Sequence, residues 1–139
     1  MSTLVLELRQ GDLMVVNGAP IRFRTRARLE LTAHARFLFG KQIMSPEQAN
    51  TPARRLYFAL QCAYIGSDEE RPRGLATARE LAAAFRSATT SPLAREVIER
   101  AIAAAEADDC YQALKLARRI IRHEEAVLSE SSSRTQEVS

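Results

Sequence analysis

Near residue 45 the hydrophobic pattern of this chain changes period, and the change separates what can form before it from what can form after it. Upstream, Ile21, Phe23, Thr25, Ala27, Leu29 and Leu31 alternate with Arg22, Arg24, Arg26, Arg28 and Glu30. A period of two is the signature of a strand, whose successive side chains point to opposite faces. Downstream, Ser45-Pro46, Thr51-Pro52 and Ser91-Pro92 each offer an N-cap followed by proline at the first helical position. Apolar residues then recur at helical spacing. The expected fold class is α+β: a small N-terminal antiparallel β segment of four or five short strands, followed by a bundle of about four α-helices. The expected divisions are 1–44 (basic, β-rich), 45–128 (helical bundle) and a Ser-rich tail, 129–139, expected to be disordered.

Within the front segment, Leu4 to Leu8 and Leu13 to Val16 are strand-like, with a turn at Gly11-Asp12 between them. Asn17-Gly18 is the strongest hairpin signal, because both residues tolerate positive φ. Ala19 to Phe23 returns as a third strand, and Pro20 confines it to an edge or a strand start. The alternation over 21–32 fits one long strand or two strands with a turn near Thr25. A further strand is expected between His34 and Lys41.

The first full helix is expected over about Pro52 to Ile65, stopped by Gly66. Its second half is apolar nearly all round, which places it centrally in the bundle. Residues 68–73 read as a charged loop, with helices over about Leu75 to Ala88 and Pro92 to Ala105. Asp108 or Asp109 caps a fourth helix, running to about Leu128. A helix start favoured by the macrodipole explains these adjacent carboxylates better than an acid/base pair does.

Little in the chain favours catalysis or a cofactor. His34 and His123 stand far apart, no spacing fits a metal site, and the five glycines are too scattered for a phosphate loop. Cys62 and Cys110 fall on separate helix patterns and read as packing residues. A Cys–His nucleophile pair is the remote enzyme alternative. No stretch approaches a membrane span, and Met1-Ser2-Thr3 does not open a signal peptide. A cytoplasmic protein without membrane contact is expected.

The 139 residues carry a net charge of +3, unevenly spread. Residues 1–45 hold seven Lys/Arg and three acids; the rest holds 13 bases and 14 acids. An anionic partner for the front segment follows from this asymmetry. On one strand, Arg22, Arg24, Arg26 and Arg28 would share a face at roughly 6.5–7 Å spacing, close to that of successive phosphates. A solvated face satisfied by acids from the bundle is the plainer reading. A second stripe, Lys115, Arg118, Arg119 and Arg122, falls on one side of the last helix. Tyr111, Leu114, Ala117, Ile121 and Leu128 read as its core side. Glu124 and Glu125 are candidate ion-pair partners for the stripe.

Three stretches, Leu13 to Ile21 (LMVVNGAPI), Ile43 to Ile65 (IMSPEQANTPARRLYFALQCAYI) and Tyr111 to Glu125 (YQALKLARRIIRHEE), together resemble the FlbT family of flagellum-biosynthesis regulators. The resemblance runs from Leu4 to about Leu128, and the middle block is the most specific. It implies a post-transcriptional regulator that associates with the 5′ untranslated leader of flagellin messenger RNA and promotes its decay. It also implies a small FlaF-like protein partner and no catalytic residues. The chain departs from the family pattern after the hairpin, where Arg22 to Arg28 alternate. Two functions follow as expectations: direct RNA binding through Arg22, Arg24, Arg26 and Arg28, or a protein-interaction adaptor with indirect RNA effects. The edges of so small a sheet also allow a homodimer through strand pairing.

Overall fold

The computed structural model describes residues 4–32 and 35–138, with side chains described as far as residue 130. The architecture is α+β, with five short antiparallel strands followed by four helices. The strands are β1 (Leu4–Leu8), β2 (Leu13–Val16), β3 (Ala19–Arg22), β4 (Ala27–Leu31) and β5 (Phe37–Phe39). The helices are α1 (Pro52–Ile65), α2 (Glu70–Ala88), α3 (Pro92–Glu106) and α4 (Cys110–Val138). Of the strand expected between His34 and Lys41, only Phe37–Phe39 is observed, and His34 lies outside the described residues.

The strands form two ladders: β1 with β4, and β3–β2–β5. Asn17 (φ 48°) and Gly18 (φ 86°) both take left-handed conformations, as a two-residue hairpin turn requires. Val16 therefore faces Ala19, and Pro20 faces Val15 at the next, non-hydrogen-bonded position. The Pro20 nitrogen thus points to the outer edge, where a missing donor breaks no ladder bond. Over 21–32 the chain makes two strands, not one. β3 ends at Arg22, the backbone bends at Arg24 and Thr25, and β4 resumes in the other ladder. The four arginines consequently do not form a single-strand row.

β5 joins the two hydrophobic cores by its alternation. Phe37 and Phe39, stacked on each other with ring centroids 6.4 Å apart, pack against the small core of Leu6, Leu8 and Met14. Leu38, between them, enters the helical core and is 1% exposed. Behind it, Gln61 of α1 holds the connecting chain: its Oε1 accepts from Met44 N at 2.8 Å and its Nε2 donates to Met44 O at 2.9 Å. Apart from the Tyr57 phenol and the Cys110 thiol, Gln61 is the one buried polar side chain among the described residues.

The helix starts follow their capping chemistry. Thr51 and Ser91 accept from the backbone N–H groups of Arg54 and Ala94. The Ser45-Pro46 start yields only a single 3-10 turn, Pro46–Gln48, because Thr51-Pro52 restarts the chain soon after. Residues 68–73 differ from expectation: α2 begins at Glu70 rather than Leu75. Ser67 and Glu70 exchange hydrogen bonds, Ser67 N to Glu70 Oε1 and Glu70 N to Ser67 Oγ, as a capping box. Pro72 is tolerated because first-turn N–H groups need no helical partner. Asp109 caps α4 by accepting from Gln112 N, while Asp108 takes a left-handed φ of 62°.

α1 packs between α2 and α4, and α3 closes the bundle against both of them. At Gly74 the α1–α2 crossing is so close that a Cβ would stand 2.7 Å from Ala63 N. α4 does not end near Leu128 but continues to Val138, through the segment expected to be disordered. Between Leu128 and Val138 there is no glycine or proline, the residues that most strongly oppose a helix interior.

Candidate functional site

Each front arginine is exposed, and each stands in a different setting. Arg22 donates from Nη1 to Gly11 O at 3.0 Å. Arg24 sits on the bend. Arg26 borders an open depression with Glu7 and Arg9. Arg28 stands across the β1–β4 ladder from Glu7, an opposite-charge cross-strand pair. The row of phosphate-spaced guanidiniums therefore does not form, because the strand that would carry it is broken at Arg24–Thr25.

The second basic stripe is assembled. Lys115, Arg118, Arg119 and Arg122 line one groove of about 380 Å³ between α4 and the β5–linker segment. Leu38 and Leu114 give it an apolar floor, and Gln42, Tyr57 and Tyr111 complete its walls. Tyr111 was expected in the core but is 39% exposed. It stands one turn before Lys115, whose Nζ lies 4.8 Å from the ring centroid. Tyr64 pairs with Tyr111 at 6.0 Å and extends the aromatic wall. Burial pushes the Tyr64 phenol pKa up, partly offset by the Phe37 backbone and the Arg36 charge.

Arg118 is held in place. Its Nη2 donates to the Tyr57 hydroxyl at 3.0 Å, and that hydroxyl donates to Gln42 O at 2.6 Å. The guanidinium also lies 5.1 Å from the Tyr57 ring centroid. One hydrogen bond leaves most of the arginine's donors for a ligand.

Among the described residues that line the groove, none is acidic. Glu124 and Glu125 do not pair with the stripe. Glu124 accepts from Ala53 N at the start of α1, and Glu125 pairs with Arg54 at 3.1 Å. Among the described residues, none of the groove's four cations forms an ion pair. The other described grooves each contain a carboxylate: Glu106, Glu70, Glu124 or Glu7. Four uncompensated cations around an apolar, aromatic floor suit a ligand that is both anionic and planar.

Tyr57, Tyr111, Leu38 and Gln42 were not singled out as functional from the sequence. A signal for Tyr111 is its spacing: it precedes Lys115, Arg118 and Arg122 by 4, 7 and 11 residues, one helical face. Nothing local marks Gln42 or Leu38, which reach the site only through tertiary packing.

Cys62 and Cys110 are free thiols whose pKa values burial pushes up, with nearby acids adding to the effect. Among the described residues no group of His, Cys, Asp and Glu is placed to hold a metal ion. Among them, too, no helix is long and apolar enough to cross a membrane.

The model of the family described as flagellar protein FlbT matches residues 4–128. A probable flagellum biosynthesis repressor protein FlbT from Chelativorans sp. (strain BNC1) is 31% identical over 147 aligned positions, covering 99% of this chain and 94% of the relative. One of the same description from Mesorhizobium japonicum is 31% identical over 120 positions, covering 84% and 79%. Another, from Brucella ovis, is 36% identical over 80 positions, covering 58% and 53%. No solved structure matches the chain. On the extent of these matches, the chain belongs to the FlbT family.

Proposed function

We propose that this protein regulates flagellum synthesis after transcription, by binding the 5′ untranslated leader of flagellin messenger RNA and lowering its expression. The relatives' description as probable flagellum biosynthesis repressors supports the regulatory part. The observation that supports RNA as the target is the carboxylate-free groove of Lys115, Arg118, Arg119 and Arg122 beside Tyr111. Interleaved cations and aromatic faces are how proteins hold RNA without a duplex-reading helix. The front arginines contribute a diffuse positive surface that steers the message towards the protein. No catalytic role is assigned to any residue; decay of the message falls to cellular nucleases, in the cytoplasm.

The direct experiment measures binding of the purified protein to a flagellin-leader RNA and to an unrelated RNA of equal length. Preference for the leader is expected. Equal or absent binding would sink the reading.

A second reading, a protein-interaction adaptor, is favoured by a separate apolar groove. It is lined by Leu81, Phe85, Val127 and Leu128, among others. At 100° per residue, Val127 lies opposite Tyr111 and Arg118 on α4, and Leu128 stands about a quarter-turn from them on the core side. They continue the helix's core-facing stripe, with exposures of 47% and 56%. A small FlaF-like protein is the proposed occupant. Co-purification lost on Val127→Ser/Leu128→Ser, with RNA binding intact, would support two independent surfaces. Tight protein binding without direct RNA binding would favour the adaptor alone.

A further inference from the structure

We infer that the groove between β5 and α4 seats an unpaired nucleotide of single-stranded RNA, its base against Tyr111 and its phosphates on Arg118, Arg119 and Arg122. The inference rests on the RNA reading above and names the form of RNA that this site accepts.

The case comes from how the groove is layered. Leu38 and Leu114 form an apolar floor, and the four cations stand around it. A duplex presents phosphates outside and keeps its base faces stacked inside, so it could use the cations but not the floor. An unpaired nucleotide presents both parts at once. The groove, about 380 Å³, is also of the size that holds one small ligand, and a double helix is far wider.

Tyr111 supplies the stacking face. Tyr111 is 39% exposed, and Tyr64 packs against its ring at 6.0 Å. Its π face already attracts a cation, with Lys115 Nζ 4.8 Å away. The lysine stem is flexible, so an incoming base can displace the ammonium, which then meets the adjoining phosphate. Arg118 needs no such rearrangement. The Tyr57 hydroxyl holds it, at 3.0 Å, before any ligand arrives. A polyglutamate segment would satisfy the cations but offers no planar ring for Tyr111.

The test uses the full-length protein and three probes: a single-stranded RNA of about eight nucleotides, the same strand annealed to its complement, and a polyglutamate peptide of equal charge. The strand is expected to bind at least about tenfold more tightly than the duplex. Tyr111→Ala is expected to weaken strand binding by about five- to tenfold with duplex binding unchanged, and Tyr111→Phe to retain it. Unchanged far-UV circular dichroism and Tm show that the exposed variants remain folded. Equal affinity for strand and duplex, or indifference to Tyr111→Ala, overturns the nucleotide site. So does displacement of the strand by polyglutamate at equal concentration. If leader RNA binds but no groove variant matters, this assignment fails and the regulatory reading stands. If no leader RNA binds, both fail.

Discussion

Arg118 on α4 and Tyr57 on α1 are joined by a 3.0 Å hydrogen bond, and the same phenol donates to the Gln42 carbonyl at 2.6 Å. One buried hydroxyl thus links the basic groove, the helical core and the linker from the β segment. Tyr57 is 2% exposed but Gln42 is only half-buried and borders the groove, so loss of the hydroxyl removes a hydrogen bond without cutting the Gln42 carbonyl off from water. Tyr57→Phe is expected to cost about 0.5–1.5 kcal/mol in urea unfolding. RNA affinity is expected to fall several-fold with an unchanged salt slope, because Arg118 keeps its charge and loses only its positioning. A reduced slope would show that the phosphate contact itself had gone.

Gln61 is expected to matter more to stability than any other polar residue of the bundle. It satisfies both backbone groups of Met44 from within the core. Gln61→Leu keeps similar volume but leaves an N–H and a carbonyl without a partner, at about 1–3 kcal/mol for each group that water cannot reach. Native-state hydrogen exchange should show faster opening around Met44. Wild-type stability and exchange in this variant would mean that the clasp is dispensable.

Gly74→Ala should destabilise the α1–α2 crossing, despite alanine's higher helix propensity. The added Cβ would fall 2.7 Å from Ala63 N and 2.9 Å from Ala59 O, both backbone atoms that cannot step aside. A loss of about 1–3 kcal/mol is expected, read as a lower Tm. A gain in Tm would show that the helices separate without penalty.

The start of α2 carries a pH dependence of known sign. Hydrogen bonds from the Ser67 backbone and then its side chain hold the Glu70 carboxyl below its ordinary value. A depressed folded-state pKa contributes stability that is present above the ordinary glutamate value and lost as pH falls through the folded one. Amide protection factors at residues 67–71, taken relative to the intrinsic exchange rate at each pH, should therefore fall on acidification through the glutamate range. Glu70→Gln should flatten that response, and a wild-type profile in the variant would contradict the assignment.

Much of this fold is legible in the sequence because its signals are local. Asn17-Gly18, Thr51-Pro52 and Ser91-Pro92 set a hairpin and two helix starts by chemistry confined to a few residues. The start of α2 was also legible, in the Ser67-x-x-Glu70 capping box, but the charge density of 68–73 masked it. The candidate site was less legible. Alternation placed four arginines on one face, yet alternation does not reveal where a strand stops, and β3 stops at Arg22. In the sequence, Glu124 and Glu125 stand as candidate ion-pair partners for the α4 stripe. Only tertiary packing turns those two acids towards α1, to Ala53 and Arg54. Tyr57 and Leu38 join the groove from positions far apart in the chain.

Under the proposed function, the α4 groove, and not the front arginines alone, carries contact with message RNA. The most direct measurement is affinity for a flagellin-leader RNA against salt concentration, for wild type and for Lys115/Arg118/Arg119/Arg122→Ala. Each lost phosphate contact lowers the slope of log affinity against log salt by about 0.7 for single-stranded RNA, so a reduction of about 2–3 is predicted, with much weaker binding at low salt. A variant whose affinity and slope both match wild type would contradict the account.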